Sequence, residues 1–331
     1  MTANGDTSVL EDQQRRSIKI TERTDRSMYM FLLQHLLKPF GALLIKQSGE
    51  SAPGSQKLEP HKKALKRCEI QERQEEGIWV YDMVPRGTLL GKGRLRRIYY
   101  FAGGGWSSPP ASEHWVLCAE MANRLPDTIV TVVSYPLAPH SPAPVAIPQL
   151  MAWYHAALHD AEAAGERVIF AGDSAGGNII LCLPLLALLE DPDAPCPVAL
   201  MGLSPSTDLS RSNPDIRTVA KHDPILRIPF INGTAKKWRA EWDATDPRVS
   251  PLYADISPLA RRGVKVHGVV GGYDILGPDA NLFREKCNKA GVHGEWLEWD
   301  KQMHVFPLTW AYKLPEGVAA KEWTLDVLRN T

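Results

Sequence analysis

The sequence predicts an α/β protein with a mostly parallel central sheet, helices on both faces and a helical cap. Three observations lead there. From about residue 78 onward, short β-branched and aromatic runs alternate with longer helical patterns. One of those runs, Arg167-Val168-Ile169-Phe170-Ala171, passes through a glycine-flanked serine straight into an apolar helix. The stretch from Thr207 to Asp246 holds Pro214, Pro224, Pro229, Phe230, Trp238 and Trp242 but no strand pattern, as an inserted lid would.

The expected strands are Ile98 to Phe101, Thr128 to Tyr135, Arg167 to Ala171, Val198 to Leu203, Val264 to Val270 and Glu295 to Glu298. Helical periodicity occupies Ser112 to Asn123, Val145 to Ala164, Ser174 to Glu190 and Asp279 to Ala290. Pro184 is expected to kink the third of these helices. Residues 1–75 read as a polar-rich N-terminal helical cap segment, joined internally by a flexible stretch at Ser48 to Gln56. The organisation expected is therefore a cap segment at 1–75, a catalytic core at 76–206 and 247–331, and a cap insertion at 207–246.

Within the first segment, Met28 to Ile45 approaches a membrane span in length, yet Gln34, His35, Lys38, Pro39 and Gly41 interrupt it. Leu32, Leu33, Leu36, Leu37 and Phe40 recur at helical spacing, so the segment reads as one amphipathic helix lying on the rest of the protein. Peripheral membrane contact through residues 28–45 stays open on this reading.

Composition narrows the classes further. Lys plus Arg and Asp plus Glu each total 38 in 331 residues, so the net charge is zero and no nucleic-acid partner is expected. Cys68, Cys118, Cys182, Cys196 and Cys287 are scattered and form no CxxC pair, which speaks for inert thiols in a reducing, cytoplasmic setting. Met1 to Asp12 is polar and acidic, unlike a secretory signal. His155 and His159 lie one helical turn apart, but no glutamate completes H-E-x-x-H, so no metal is expected. No cofactor is expected either: the glycine run at 103–105 lacks both G-x-G-x-x-G and the P-loop lysine.

The chemistry concentrates at Gly172-Asp173-Ser174-Ala175-Gly176-Gly177-Asn178. Strand, tight turn and helix give G-x-S-x-G its meaning. A Cβ at Gly172 or Gly176 would clash in so sharp a turn, and the turn presents the Ser174 hydroxyl beyond the sheet edge. The helix that follows aims its free N–H groups at the same place. Serine is a weak nucleophile and needs a base. Ten histidines compete for that role, and His114, which follows the glycine run, is one to watch beside His304.

GDSAGGN with a glycine run upstream resembles the hormone-sensitive-lipase-like branch of the α/β-hydrolases. Three further segments resemble that branch: Ser134-Tyr135-Pro136-Leu137-Ala138-Pro139, Leu203-Ser204-Pro205-Ser206-Thr207-Asp208-Leu209, and Asp246-Pro247-Arg248-Val249-Ser250-Pro251-Leu252. Together they cover roughly residues 78 to 310. The resemblance implies a catalytic Ser174 with His304 (in Gln302-Met303-His304-Val305-Phe306) as base and Asp274 (in Gly271-Gly272-Tyr273-Asp274-Ile275-Leu276) as its orienting acid. Asp279 then reads as a helix cap. It also implies an oxyanion hole from the backbone N–H groups of Gly104, Gly105 and Ala175. The chain departs from the family at Ala102, where a histidine braces the glycine loop, so either another brace or the substrate itself is expected to order the loop here.

The function expected is cleavage of a carboxylic ester or lactone of a small to medium apolar or natural-product substrate. Trp106, Phe31, Phe230, Trp238 and Trp242 are candidate pocket walls. Two alternatives stay open. The same triad can close a ring, by lactonisation or an aldol-type condensation in secondary metabolism. The fold can also serve as a non-enzymatic ligand receptor, though such receptors in this branch lose the histidine that this chain keeps.

Overall fold

The computed structural model describes residues 17–41, 52–87 and 95–331, and its centre is a nine-stranded sheet. In chain order the strands are β1 (Ile18–Arg23), β2 (Cys68–Glu75), β3 (Ile78–Pro85), β4 (Arg96–Phe101), β5 (Thr128–Ser134), β6 (Arg167–Asp173), β7 (Ala199–Leu203), β8 (Lys265–Gly271) and β9 (Gly294–Trp299). Their order across the sheet is β1-β9-β8-β7-β6-β4-β5-β3-β2, parallel except where β3 pairs with β2 and β5. The helices are α1 (Met28–Leu37), α2 (Lys62–Leu65), α3 (Ser112–Arg124), α4 (Ala143–Ala163), α5 (Ser174–Glu190), α6 (Asp215–Val219), α7 (Ile228–Arg239), α8 (Ser257–Arg261), α9 (Gly277–Lys289) and α10 (Pro315–Arg329).

Strand periodicity of two divides the core into two layers. Tyr99, Phe101 and Phe170 point to the face covered by α4, α5 and α9, whereas Ile98, Tyr100, Ile169 and Ala171 point to the face covered by α3 and α10. β5 and β7 are buried along their whole length, as parallel strands covered on both faces should be. The six expected strands and four expected helices all appear, with ends moved by a few residues. α5 runs on through Pro184 to Glu190. The 207–246 stretch holds α6 and α7 and no strand.

The N-terminal expectation needs correction: β1 and β2 are strands within the segment read as helical. β1 pairs parallel with β9 at one edge of the sheet, and β2 pairs antiparallel with β3 at the other. Both are rich in charge, because edge strands keep one flank solvated, and that composition hides their period of two. The apolar stripe of the Met28 segment is also not a single buried face. Leu33 and Leu37 turn inward, while Leu32 (50% exposed), Leu36 (67%) and Phe40 (55%) face outward. Ser27 caps α1 by accepting from Met30 N–H. Residues 42–45 of that segment, 48–51 of the flexible stretch, and Met1 to Asp12 lie outside the described residues. No helix among the described residues is long and apolar enough to cross a membrane.

Candidate active site

Strand order brings the chemistry to one edge. Ser174 follows β6, Asp274 follows β8 and His304 follows β9, all at the carboxyl ends of the sheet, where ligands of open α/β folds bind. Ser174 has φ +52°, a left-handed conformation rare for a residue with a side chain, and so stands at the apex of the turn. The flanking glycines are required. A Cβ on Gly176 would lie 1.9 Å from the Phe101 carbonyl oxygen, and one on Gly172 2.7 Å from it.

Three of the expected site residues form one hydrogen-bonded line. The Ser174 hydroxyl lies 2.9 Å from His304 Nε2, and His304 Nδ1 lies 2.9 Å from Asp274 Oδ1. With the carboxylate accepting at Nδ1–H, the tautomer leaves Nε2 as an acceptor for the serine proton. Burial lowers the basicity of His304, but the Asp274 charge and hydrogen bond, with smaller help from Asp223 and Asp173, outweigh it and raise its pKa. Ser204 and Gln34 hold the histidine loop: Val305 N–H donates to Ser204 Oγ at 3.0 Å, and the Gln34 side chain of α1 donates to the Lys301 carbonyl at 2.8 Å.

The glycine loop after β4 runs beside the elbow. Gly104 (φ +132°) and Gly105 (φ +59°) adopt conformations that favour glycine, and their N–H groups donate to no acceptor among the described residues. Gly103 is different, because its N–H donates to Asp173 Oδ1 at 3.0 Å. That bond belongs to the brace that replaces the missing histidine. Buried Asp173 also accepts from the Tyr100 hydroxyl at 2.8 Å and from His114 Nε2 at 3.2 Å. His114 Nδ1 accepts Ala111 N–H at 2.9 Å, so its proton sits on Nε2, facing Asp173. On the other side of the same peptide, the Tyr135 hydroxyl donates to the Ala102 carbonyl at 2.8 Å. Tyr100, Tyr135 and Asp173 were missed as site residues because each is ordinary in its own segment; His114 alone carried a signal.

Two segments resembling the hormone-sensitive-lipase-like branch meet at the elbow helix: Asn178 donates to the carbonyls of Ser206 and Val249, at 2.7 and 2.8 Å. Asp279 is not a cap; it lies buried in the first turn of α9, with Arg211 Nη1 at 4.0 Å.

A cavity of about 670 Å³ opens above Ser174 and His304. Leu33 and Leu37 of α1 line it together with Ile225, Leu226 and Phe230 of the insertion, and Met303, Leu308 and Leu314 from the C-terminal side. Of the five aromatics expected in its walls, Phe230 alone is there. Trp106 and Trp238 stack on each other at 5.8 Å and are buried in the core, so they join insertion to core instead of meeting substrate. Trp242 packs on the same core with the Arg248 guanidinium 3.7 Å from its ring, and Phe31 lies on the far side of α1 against His35. Large aromatic rings contribute most where burial is complete, as it nearly is for Trp106 and Trp238.

The alpha/beta hydrolase fold profile matches residues 98–308, more than half of the chain. The chain belongs to the α/β-hydrolase family. This α/β-hydrolase is 33% identical over 196 residues to an esterase of Acinetobacter venetianus, a match covering 59% of the chain and 62% of that protein, less than two thirds of its length. It is 28% identical over 236 residues to an acetyl-hydrolase of Streptomyces hygroscopicus, covering 71% of the chain and 76% of the relative. A solved hormone-sensitive lipase from a metagenome library is 26% identical, with TM-score 0.71 over 92% of this chain and 98% of that one. Within that family, this chain falls in the hormone-sensitive-lipase-like branch.

Proposed function

We propose that this α/β-hydrolase cleaves carboxylic esters, lactones included, of small to medium apolar or natural-product substrates through an acyl-enzyme on Ser174. The observation that carries the reading is the Ser174–His304–Asp274 line opening into an apolar cavity beside two unengaged backbone N–H groups. Ser174 Oγ attacks the ester carbonyl carbon while His304 Nε2 takes its proton, and Asp274 stabilises the imidazolium without being protonated. Gly104, Gly105 and Ala175 N–H groups receive the developing oxyanion. Collapse expels the alcohol, which leaves with the proton from His304. Water then repeats the sequence on the acyl-enzyme, releasing the acid and restoring Ser174. The cycle needs no cofactor. α1 and the 207–246 insertion act as the cap, whose leucines, isoleucine and Phe230 hold the apolar part of the substrate.

Product analysis on p-nitrophenyl esters and on simple lactones tests this reading: acid plus p-nitrophenol is expected from the esters, with a burst of p-nitrophenol matching the enzyme concentration, and a single hydroxy acid from each lactone. A ring-closed product, or binding without turnover, would contradict it.

Because the neutral ring of His304 accepts the proton, kcat/KM should rise with pH through the His304 pKa. The surrounding carboxylates place that acid limb above about pH 6.5, the ordinary histidine value. A pH–rate profile checks this; a flat profile, or a midpoint below about pH 6, would count against His304 as base.

The brace carries a separate prediction. Asp173→Asn replaces one acceptor oxygen by an NH₂ group among three donors, those of Tyr100, Gly103 and His114. Misplacing the glycine loop should lower kcat by about 10- to 100-fold with a smaller change in KM. Steady-state kinetics on one ester read the split, and an unchanged kcat would remove Asp173 from the account.

A further inference from the structure

Asp223 lies in the turn between α6 and α7 and is completely buried. A buried carboxylate is costly unless its oxygens are bonded, and these are. Oδ1 accepts the N–H groups of Ile225 and Leu226, both at 2.8 Å, and Oδ2 accepts the N–H of Ile275 at 2.9 Å. Ile225 and Leu226 line the cavity, and Ile275 is the residue after Asp274. One carboxylate therefore joins the pocket roof to the loop that carries the acid of the triad.

α1 is anchored at the same point. A Cβ on Gly41 would lie 2.4 Å from the Pro224 carbonyl oxygen. The Arg227 guanidinium donates to the Asp223 carbonyl at 2.7 Å and to the Lys38 carbonyl at 2.6 Å. The charged groups that bear on the Asp223 carboxylate are Asp274 and His304, and those that bear on His304 are Asp274, Asp223 and Asp173. His222, next in the chain, stacks on Tyr273 at 4.9 Å. Burial, with repulsion from Asp274, pushes the Asp223 pKa up to about 6, so the group carries its charge where the neutral form of His304 works.

We propose that Asp223 is a positioning residue for the triad: its carboxylate pins the Asp274 loop to the pocket roof, and its charge supports the imidazolium that His304 becomes during turnover. This rests on the reading of Ser174, His304 and Asp274 as the reacting set. A carboxamide cannot imitate the arrangement, because an NH₂ group must then face the N–H of either Ile275 or the Ile225–Leu226 pair.

The test compares Asp223→Asn, Asp223→Glu and wild type on a soluble p-nitrophenyl ester, with rates per active site titrated by a fluorophosphonate. Asp223→Asn should lower kcat about tenfold with KM changed less. It should also move the acid limb of kcat/KM toward lower pH by about half a unit or more, since one negative charge near His304 is gone. Asp223→Glu, which keeps the charge, should keep the wild-type midpoint although its kcat falls. A role in folding alone would lower the titrated fraction and leave the midpoint in place, and that result would overturn the proposal. So would a shifted midpoint in Asp223→Glu, and this comparison decides alone if Asp223→Asn gives no folded enzyme. Ser174→Ala in the same series separates the two ideas: if it stays active the triad reading fails, whatever Asp223 does.

Discussion

Ser174→Ala should lose on the order of 10⁶-fold in kcat on a short p-nitrophenyl ester, the scale expected when one member of a triad is removed and only binding and oxyanion donors remain. The hydroxyl is 2.9 Å from His304 Nε2, and alanine leaves the base with nothing to deprotonate. His304→Ala should be nearly as severe, because Ser174 then has no acceptor for its proton. The double variant should be little worse than either single one, since the two side chains act as a unit. Additive losses would mean that they work separately. Folding is checked by thermal unfolding: Ser174→Ala should change stability little, because it opens no sealed core, whereas His304→Ala should lower it, because the buried Asp274 carboxylate loses its partner.

Gly104→Ala should cost about 10²–10³ in kcat, the scale measured when an oxyanion donor is removed elsewhere. Two features of the loop set this. At φ +132° a residue with a Cβ is strained, and that Cβ would lie 2.8 Å from the Ser108 carbonyl oxygen and 3.0 Å from Ser108 Cβ. The loop must shift, and with it the N–H groups of Gly104 and Gly105. Their target is the oxyanion, which exists only beyond the ground state, so KM should move less than kcat. Loss of binding alone, with kcat intact, would make the glycine run a structural turn.

Much of this was legible in the sequence because the carrying residues are local. Arg167 to Asn178 contains a strand, a forced turn and a helix start, and the steric need for glycine at 172 and 176 is visible without coordinates. Asp274 and His304 each sit just after an expected strand, and the family resemblance of their segments singles them out from the other carboxylates and histidines.

What stayed hidden depends on long-range contact. β1 is identifiable only through its pairing with β9, far along the chain. The brace on Gly103 draws on Tyr100, His114, Tyr135 and Asp173, residues from four separate elements. The pocket walls were misassigned because aromatic type says how much area a ring can bury, not toward what. Trp106 and Trp238 stack on each other in the core, and leucines of α1 line the cavity. Asp223 carries no signal of its own in the sequence, and its bond to Ile275 N–H is what ties it to the site.

Mass spectrometry of the protein after reaction with a fluorophosphonate tests the central claim most directly, because the reagent requires a serine activated by its neighbours. One adduct per chain is predicted, located on the peptide that carries Ser174, forming in step with loss of esterase activity and absent from the His304→Ala variant over the same interval. An unmodified Ser174 in a protein that still hydrolyses esters, or an adduct on a different residue that tracks the loss of activity, would contradict it.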